Sequence, residues 1–168
     1  STRRDGHARP FGSPPKGDRR AMPLDLDTFR QSLRRWASGV TIVTAKAGDE
    51  IHGMTVSAFS SVSAEPPLVL VCCNRASKTN ALVEKGGVFC VNILAADQQE
   101  LSGRFSSSKT EGSRFEGVPH RIGEGGAPVL DGVLAALECK VTSAYAEGSH
   151  TIYVGEVLAA HLSDKEPL

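Results

Sequence analysis

The stretch Gly53-Met54-Thr55-Val56-Ser57-Ala58 places small residues and hydroxyls close to an apolar, β-branched strand pattern. Small residues let a main chain come close to a ligand. Peptide groups and hydroxyls then meet a polar rim, while apolar neighbours wall the faces. The hydroxyls continue through Ser60, Ser61 and Ser63. The same composition also describes an ordinary polar strand end. Ser77-Lys78-Thr79 opens a short helical pattern. A helix start offers free N–H groups and a positive dipole end. With an ammonium and two hydroxyls it suits a phosphate, and it also reads as a plain N-cap. Cys72, Cys73 and Asn74 close an apolar run, at the end of a strand. Arg104, Phe105 and Ser106 combine a cation, an aromatic and a hydroxyl, a set equally typical of a helix C-terminus. His150 follows Gly148 and Ser149 in a turn between two long apolar patterns. A histidine there is either solvated or aimed at a ligand.

Other chemistries lack their motifs. There is no GxGxxG fingerprint, P-loop or HExxH pair, and no GxSxG elbow. The four cysteines (Cys72, Cys73, Cys90, Cys139) lie in apolar runs without CxxC spacing. They read as buried free thiols of a cytosolic protein, so neither disulfide nor metal is expected.

The elements that must position these residues follow from periodicity. Residues 24–38 predict an amphipathic helix capped by Asp25, with Leu26, Phe29, Leu33 and Trp36 on one face and Gly39 as its stop. Residues 40–46 and a run from Ile51 through Val56 read as strands around a turn at 47–50. Residues 68–73, apolar on both faces, predict a central strand. A short helix over 78–84 ends at Gly86-Gly87, and 88–94 is a buried strand. Asp97 to Glu100 has capping-box spacing for a helix through Leu101, before a Ser/Gly-rich loop over 102–117 with Arg104, Lys109 and Arg114. Residues 134–145 and 151–162 are two long strands. Many strands, few short helices and no repeat predict an antiparallel barrel with helices outside.

Composition narrows the function classes. Nineteen Lys+Arg balance nineteen Asp+Glu and aromatics are few, which argues against nucleic acid or an anionic membrane as partner. The basic residues Arg3, Arg4, Arg9, Lys16, Arg19 and Arg20 crowd the start of the chain. Residues 1–23 have no apolar period and read as a basic, Pro/Gly-rich arm ahead of one domain over 24–168. No apolar run approaches the roughly 18–20 residues of a membrane span, and no apolar stretch follows the early basic residues as in an export signal. A cytoplasmic location is expected.

Three segments, in order, resemble the flavin reductase-like family. This is the FMN-binding split-barrel group that includes reductase components of two-component flavin monooxygenases. The first segment is residues 53–63 with Glu65-Pro66-Pro67-Leu68-Val69. The second is Asn74, Ser77-Lys78-Thr79 and Phe89-Cys90-Val91-Asn92-Ile93-Leu94, with Gln98, Gln99 and Arg104-Phe105. The third is Gly126-Ala127-Pro128-Val129-Leu130, Leu137-Glu138-Cys139, and Gly148-Ser149-His150 before Gly155-Glu156-Val157.

The resemblance implies a mainly β, antiparallel split β-barrel of Greek-key type with a few flanking α-helices. It implies a flavin, FAD or FMN with FAD favoured, held by Gly53, Met54, Thr55, Val56, Ser57, Ala58, Cys72, Cys73, Asn74, Ser77, Lys78 and Thr79. Arg104, Phe105 and Ser106 are a second set for its tail. It implies NADH or NADPH as hydride donor, NADH favoured, met by Gly148, Ser149 and His150, with His150 the catalytic candidate. It further implies a homodimer that supplies reduced flavin to a partner monooxygenase. A flavin-binding electron carrier, or a reductase of a corrinoid or ferric complex, are alternatives. Members commonly have Gly-Asp-His where this chain has Gly148-Ser149-His150. They also usually continue past Pro167-Leu168 into one more strand.

Overall fold

The computed structural model describes residues 24–168, so the expected basic arm lies outside the described residues. The chain divides into one unit ending at Ala37 and another running from Ser38 to Leu168.

The first unit carries α1 (Leu26–Leu33), capped by Asp25, whose carboxylate accepts from the Thr28 N–H at 2.9 Å. The helix is shorter than its apolar pattern predicts. Arg35 and Trp36 bond back to Ser32 and Leu33 at 3.1 Å, a tighter turn that ends it and leaves Trp36 outside.

In the second unit, β1 (Thr41–Ala47) and β2 (Glu50–Val56) form a hairpin. β3 (Phe59–Ala64) and β4 (Pro67–Asn74) follow, then α2 (Lys78–Gly86), β5 (Val88–Ile93) and α3 (Gln99–Ser106). The short pair β6 (His120–Ile122) and β7 (Pro128–Leu130) leads to the long hairpin of β8 (Ala135–Glu147) and β9 (His150–Leu162). Seven strands make one antiparallel sheet in the order β2-β1-β5-β8-β9-β4-β3.

The edge strands of that sheet, β2 and β3, are consecutive in the chain, and only Ser57 and Ala58 join them. A residue reaches about 3.5 Å at most, so the two edges must meet at that end. The sheet therefore curls into a barrel with a seam, which is the expected split antiparallel barrel.

Its inside is filled by Val43, Ala45, Val56, Val71, Phe89, Val91, Cys139 and Tyr153, with Leu82 and Val83 of α2 packed against them. The outer face of β1, β5 and β8 carries a second core. There Ile42, Cys90 and Ala136 meet Phe105 of α3 and Val129 and Leu130 of β7.

Several expectations are corrected. Residues 59–64 form strand β3, which pairs with β4 across an irregularity between Ser61 and Ser63. β4 is internal to the sheet but not buried on both faces. Val69, Val71 and Cys73 face the core, whereas Leu68, Leu70 and Cys72 are half-buried on an outer face that no second core covers among the described residues. Cys72 is thus not the buried thiol expected; Cys73, Cys90 and Cys139 are buried and all four are free. About two-thirds of the expected 102–117 loop is helical. α3 runs to Ser106 because Leu101 and Phe105, four apart, both pack on the outer core, and a 3-10 turn follows over Ser108–Ser113. β6 and β7, three residues each, are too short for a periodic signal. The C-terminal residues lie beside residues 94–96, with Ala96 N–H donating to Glu166 O at 2.8 Å and Leu168 N–H to Leu94 O at 3.2 Å.

Candidate functional site

The seam holds a cavity of about 210 Å³ lined by Met54, Thr55, Val56, Ser57, Ala58, Cys72, Asn74 and His150. All of these are residues that the sequence marks as candidates. Three elements bring them together: the end of β2 with its link to β3, the last residues of β4, and the start of β9. Asn74 and His150 are direct partners in the β4–β9 register.

The link is unusual in its hydrogen bonding. The carbonyl of Ser57 accepts from Phe59 N–H and that of Ala58 from Cys72 N–H, each at 3.0 Å. The N–H groups of Ser57 and Ala58 donate to no acceptor among the described residues. Both residues are exposed, so these two donors stand free where the ladder is interrupted. Thr55 differs. Its hydroxyl donates to Ser102 O at 2.7 Å and so ties β2 to α3.

Behind the lining, β2 is held rigidly. A Cβ on Gly53 would meet the Phe105 ring at 2.9 Å and Thr44 Cγ2 at 3.1 Å, so only glycine lets β2 lie this close to α3. The Gly53 carbonyl accepts from the buried Arg114 guanidinium at 2.7 Å, and Arg114 also donates to Ser107 O at 3.1 Å. Next to it, His52 is buried with Nε2 3.2 Å from Glu111 O and Nδ1 2.8 Å from the Thr79 hydroxyl. A carbonyl only accepts, so Nε2 carries the proton and Thr79 donates to Nδ1. Burial holds His52 below the usual imidazole value, ahead of opposing contributions from Glu111. The ring is therefore a neutral bridge between β2, α2 and the 3-10 turn. Burial also pushes the Cys72 thiol up, and the Cys73 thiol up to about 12. Neither sulfur is a thiolate nucleophile near neutrality.

The remaining candidates lie elsewhere. Cys73 points into the barrel core. Ser77 is the N-cap of α2, accepting from Asn80 N–H at 3.1 Å and donating to Asn74 O at 2.7 Å. Lys78 is 3.6 Å from Glu50 on the surface, and Thr79 is buried with its hydroxyl committed to His52. Arg104 donates to the carbonyl of Ser113 at 2.7 Å and also to that of Glu116, which makes it a clasp for the loop after α3. Phe105 is core, and the Ser106 hydroxyl returns to Gly103 O at 2.9 Å. These three do not reach the seam cavity.

A larger cavity of about 720 Å³ opens between α2 and the β8–β9 hairpin. Gly148 and Ser149 line it, and so do Arg75, Asn80 and Tyr153, which the sequence did not mark. Asn74 lines both cavities, so they adjoin at the end of β4. The Tyr153 hydroxyl donates to Asn80 Oδ1 at 3.1 Å. Arg75 alone carried a readable signal, a cation directly after the strand-ending Asn74. No cluster of metal-ligating side chains occurs among the described residues, and no helix is long and apolar enough to cross a membrane.

Comparison with known proteins gives a consistent picture. Residues 33–168 match the profile described as the flavin reductase like domain. The chain is 40% identical over 141 residues to the FMN reductase (NADH) SmoA of Agrobacterium fabrum, covering 84% of this chain and 79% of that protein. It is 37% identical over 134 residues to HsaB of Mycobacterium tuberculosis, the reductase subunit of a flavin-dependent monooxygenase, covering 80% of this chain and 71% of the relative. Among solved structures, the NADH:FAD oxidoreductase SgcE6 of Streptomyces globisporus, in complex with NAD and FAD fragments, superposes with a TM-score of 0.79 at 35% identity. That match covers 86% of this chain and 87% of the other.

Proposed function

This chain belongs to the flavin reductase-like family, and on that basis we propose that it is an NADH-dependent flavin reductase that supplies reduced flavin to a partner monooxygenase. The observation that carries the site is the pair of free N–H donors at Ser57 and Ala58 in a cavity walled by Met54, Val56 and Cys72. An isoalloxazine ring has apolar faces and a rim of oxygen and nitrogen acceptors, and this lining fits both.

The seam residues 54–58 with Cys72 and Asn74 would hold a flavin, which would supply a hydride-accepting ring. The protein's part is placement. Ser57 and Ala58 offer preorganised donors to rim oxygens that gain negative charge on reduction. The neutral Cys72 thiol and the apolar side chains keep water and competing charge off the ring. His150, at the hairpin tip, orients the nicotinamide. No side chain need act as acid or base, because holding two reactants in register supplies the acceleration.

FAD is the preferred flavin in this reading. The adjoining cavity of about 720 Å³ supports it, offering polar groups and Arg75 to a nucleotide tail beyond Asn74. The half-buried outer face of β4 and β9, with Leu68, Leu70, Ile152 and Val154, supports a homodimer. The free thiols support a reducing compartment such as the cytoplasm.

The test is direct. Purified protein is mixed with NADH or NADPH and with FAD or FMN, and the nicotinamide absorbance is followed. Flavin-dependent NADH oxidation with a lower KM for FAD is expected. No oxidation with any pair would refute the reductase reading and favour a flavin-binding carrier. His150→Ala should raise the KM for NADH, and an unchanged KM would remove that residue from its role.

A further inference from the structure

The β8–β9 hairpin turns at Gly148 and Ser149, with Gly148 at φ +56°. Three contacts define what leaves that turn. His150 pairs with Asn74 in the β4–β9 ladder. The Arg75 N–H donates to the Ser149 carbonyl at 3.0 Å. The Ser149 hydroxyl lies 2.9 Å from Nδ1 of His150. The first two fix the tip's backbone against the end of β4, and the third acts on the ring itself.

The Ser149 hydroxyl proton has no other acceptor among the described residues. Directed at Nδ1, it places the ring proton on Nε2, because a neutral imidazole has one donor and one acceptor nitrogen. We propose that Ser149 is a positioning residue, which holds His150 as the Nε2–H tautomer so that the ring lining the seam cavity offers a hydrogen-bond donor. This rests on the reductase reading above. A donor there complements the carboxamide oxygen of a nicotinamide. A carboxylate in place of the hydroxyl could only accept from Nδ1–H, and in the neutral ring Nε2 would then be an acceptor. Ser149 thus acts through His150 and sets the polarity of its contact.

Two readouts test this. In ¹⁵N-labelled protein, wild type at mildly alkaline pH should show His150 Nδ1 as the unprotonated and Nε2 as the protonated nitrogen. Ser149→Ala should give mixed tautomers, Ser149→Thr should restore the wild-type pattern, and Ser149→Asp should protonate Nδ1. In turnover, Ser149→Ala should raise the KM for NADH roughly two- to tenfold, the span of one hydrogen bond, and by a larger factor than any change in flavin Kd. Ser149→Thr should recover it. A wild-type ring protonated at Nδ1 overturns the proposal, as does an alanine variant with unaltered tautomer or unaltered KM. A flavin Kd that moves by as large a factor as the NADH KM also overturns it, since the donor would then serve the flavin. If wild type oxidises no NADH while the tautomer results hold, the reductase reading fails and the Ser149–His150 coupling stands.

Discussion

Substituting Gly53 by alanine should damage both stability and flavin binding, and a second substitution should repair both. The added Cβ would sit 2.9 Å from Cε1 and 3.1 Å from Cδ1 of Phe105, and 3.1 Å from Thr44 Cγ2. Phe105 and Thr44 are fully buried, so neither can swing aside. Overpacking of this kind costs about 1–3 kcal/mol. The strain is relieved by moving α3 outward or β2 toward the seam, and β2 carries Met54, Thr55 and Val56. If about 1 kcal/mol of relief comes through β2, the flavin Kd rises about fivefold. Phe105→Leu alone leaves a void and should cost about 1–2 kcal/mol, less than the truncation of Phe to Ala. In the double variant the smaller side chain admits the new methyl group. Its destabilisation should therefore fall short of the sum of the single losses by about 1 kcal/mol or more. The assay is urea unfolding of the four proteins, with flavin affinity measured by quenching of flavin fluorescence. In a chain of this length each kcal/mol corresponds to about 2–4 °C in Tm, so thermal melts give an independent check. Additivity of the two losses within about 0.5 kcal/mol would refute the claim that Gly53 is required by its approach to Phe105. Coupling in stability without recovery of flavin affinity would refute the link from that contact to the cavity.

Three further outcomes follow from the same geometry. Thr55→Val removes the hydroxyl that ties β2 to Ser102 O, and should cost about 0.5–1.5 kcal/mol in chemical denaturation; an unchanged stability would show the tie to be idle. His52 is held below its usual value by burial, so between about 6.5 and the folded value the unfolded chain binds more protons. Stability should fall as pH drops through that window, and His52→Gln should flatten the slope in pH-dependent urea titrations. Glu138 is buried, which opposes its charge, but the His161 ring at 2.7 Å, the Gly125 N–H at 2.6 Å and the nearby Arg121 outweigh this and hold its carboxyl below the usual range. Its stabilisation is present above about pH 4.3 and lost as pH falls through the lower folded value. Glu138→Ala should cost about 1.5–3 kcal/mol and Glu138→Gln less, with flavin affinity of the folded Gln variant unchanged because Glu138 does not line the seam cavity.

Local signals dominated what could be read in the chain. The β1–β2 and β8–β9 hairpins were visible because strand-like runs flank turn residues. α2 was visible because Ser77 caps it and Gly87 ends it at φ +69°. The lining from Met54 to Ala58 was legible in its composition, and with the family resemblance so was its meeting with Cys72, Asn74 and His150. What failed was side-chain direction. Phe105 and Thr79 have the right types for ligand contact, yet long-range packing turns one into the core and commits the other to His52. Arg104, a candidate for the flavin tail, and Arg114, read as part of a loop, both have guanidinium groups that satisfy carbonyls of the segment that follows α3 and, for Arg114, of β2. None of these partners is near in sequence to the residue it captures, except within residues 104–116. Periodicity cannot see them. The outer half-exposure of β4 was hidden for a related reason: an apolar run reports hydrophobicity, not which layer covers it.

The position of the cavity follows from how a sheet handles its edges. Unpaired peptide groups are what a ligand's polar rim requires, but a ladder uses up its own, and a long open edge invites pairing with other chains. This barrel brings its two edges together with a link of two residues, and so leaves the donors of Ser57 and Ala58 free at the seam. A local bond from Phe59 N–H and a bond from Cys72 N–H of β4 anchor the carbonyls of that link, which holds its donors in a fixed frame. Lengthening the link by one glycine between Ser57 and Ala58 would preserve every side chain of the site and should leave the folded barrel close to wild type in stability, since surface insertions add little closure entropy. It would nonetheless separate the two donors and should abolish measurable flavin binding. Retained affinity in that insertion variant would mean that side chains, and not the interrupted backbone at the seam, hold the flavin.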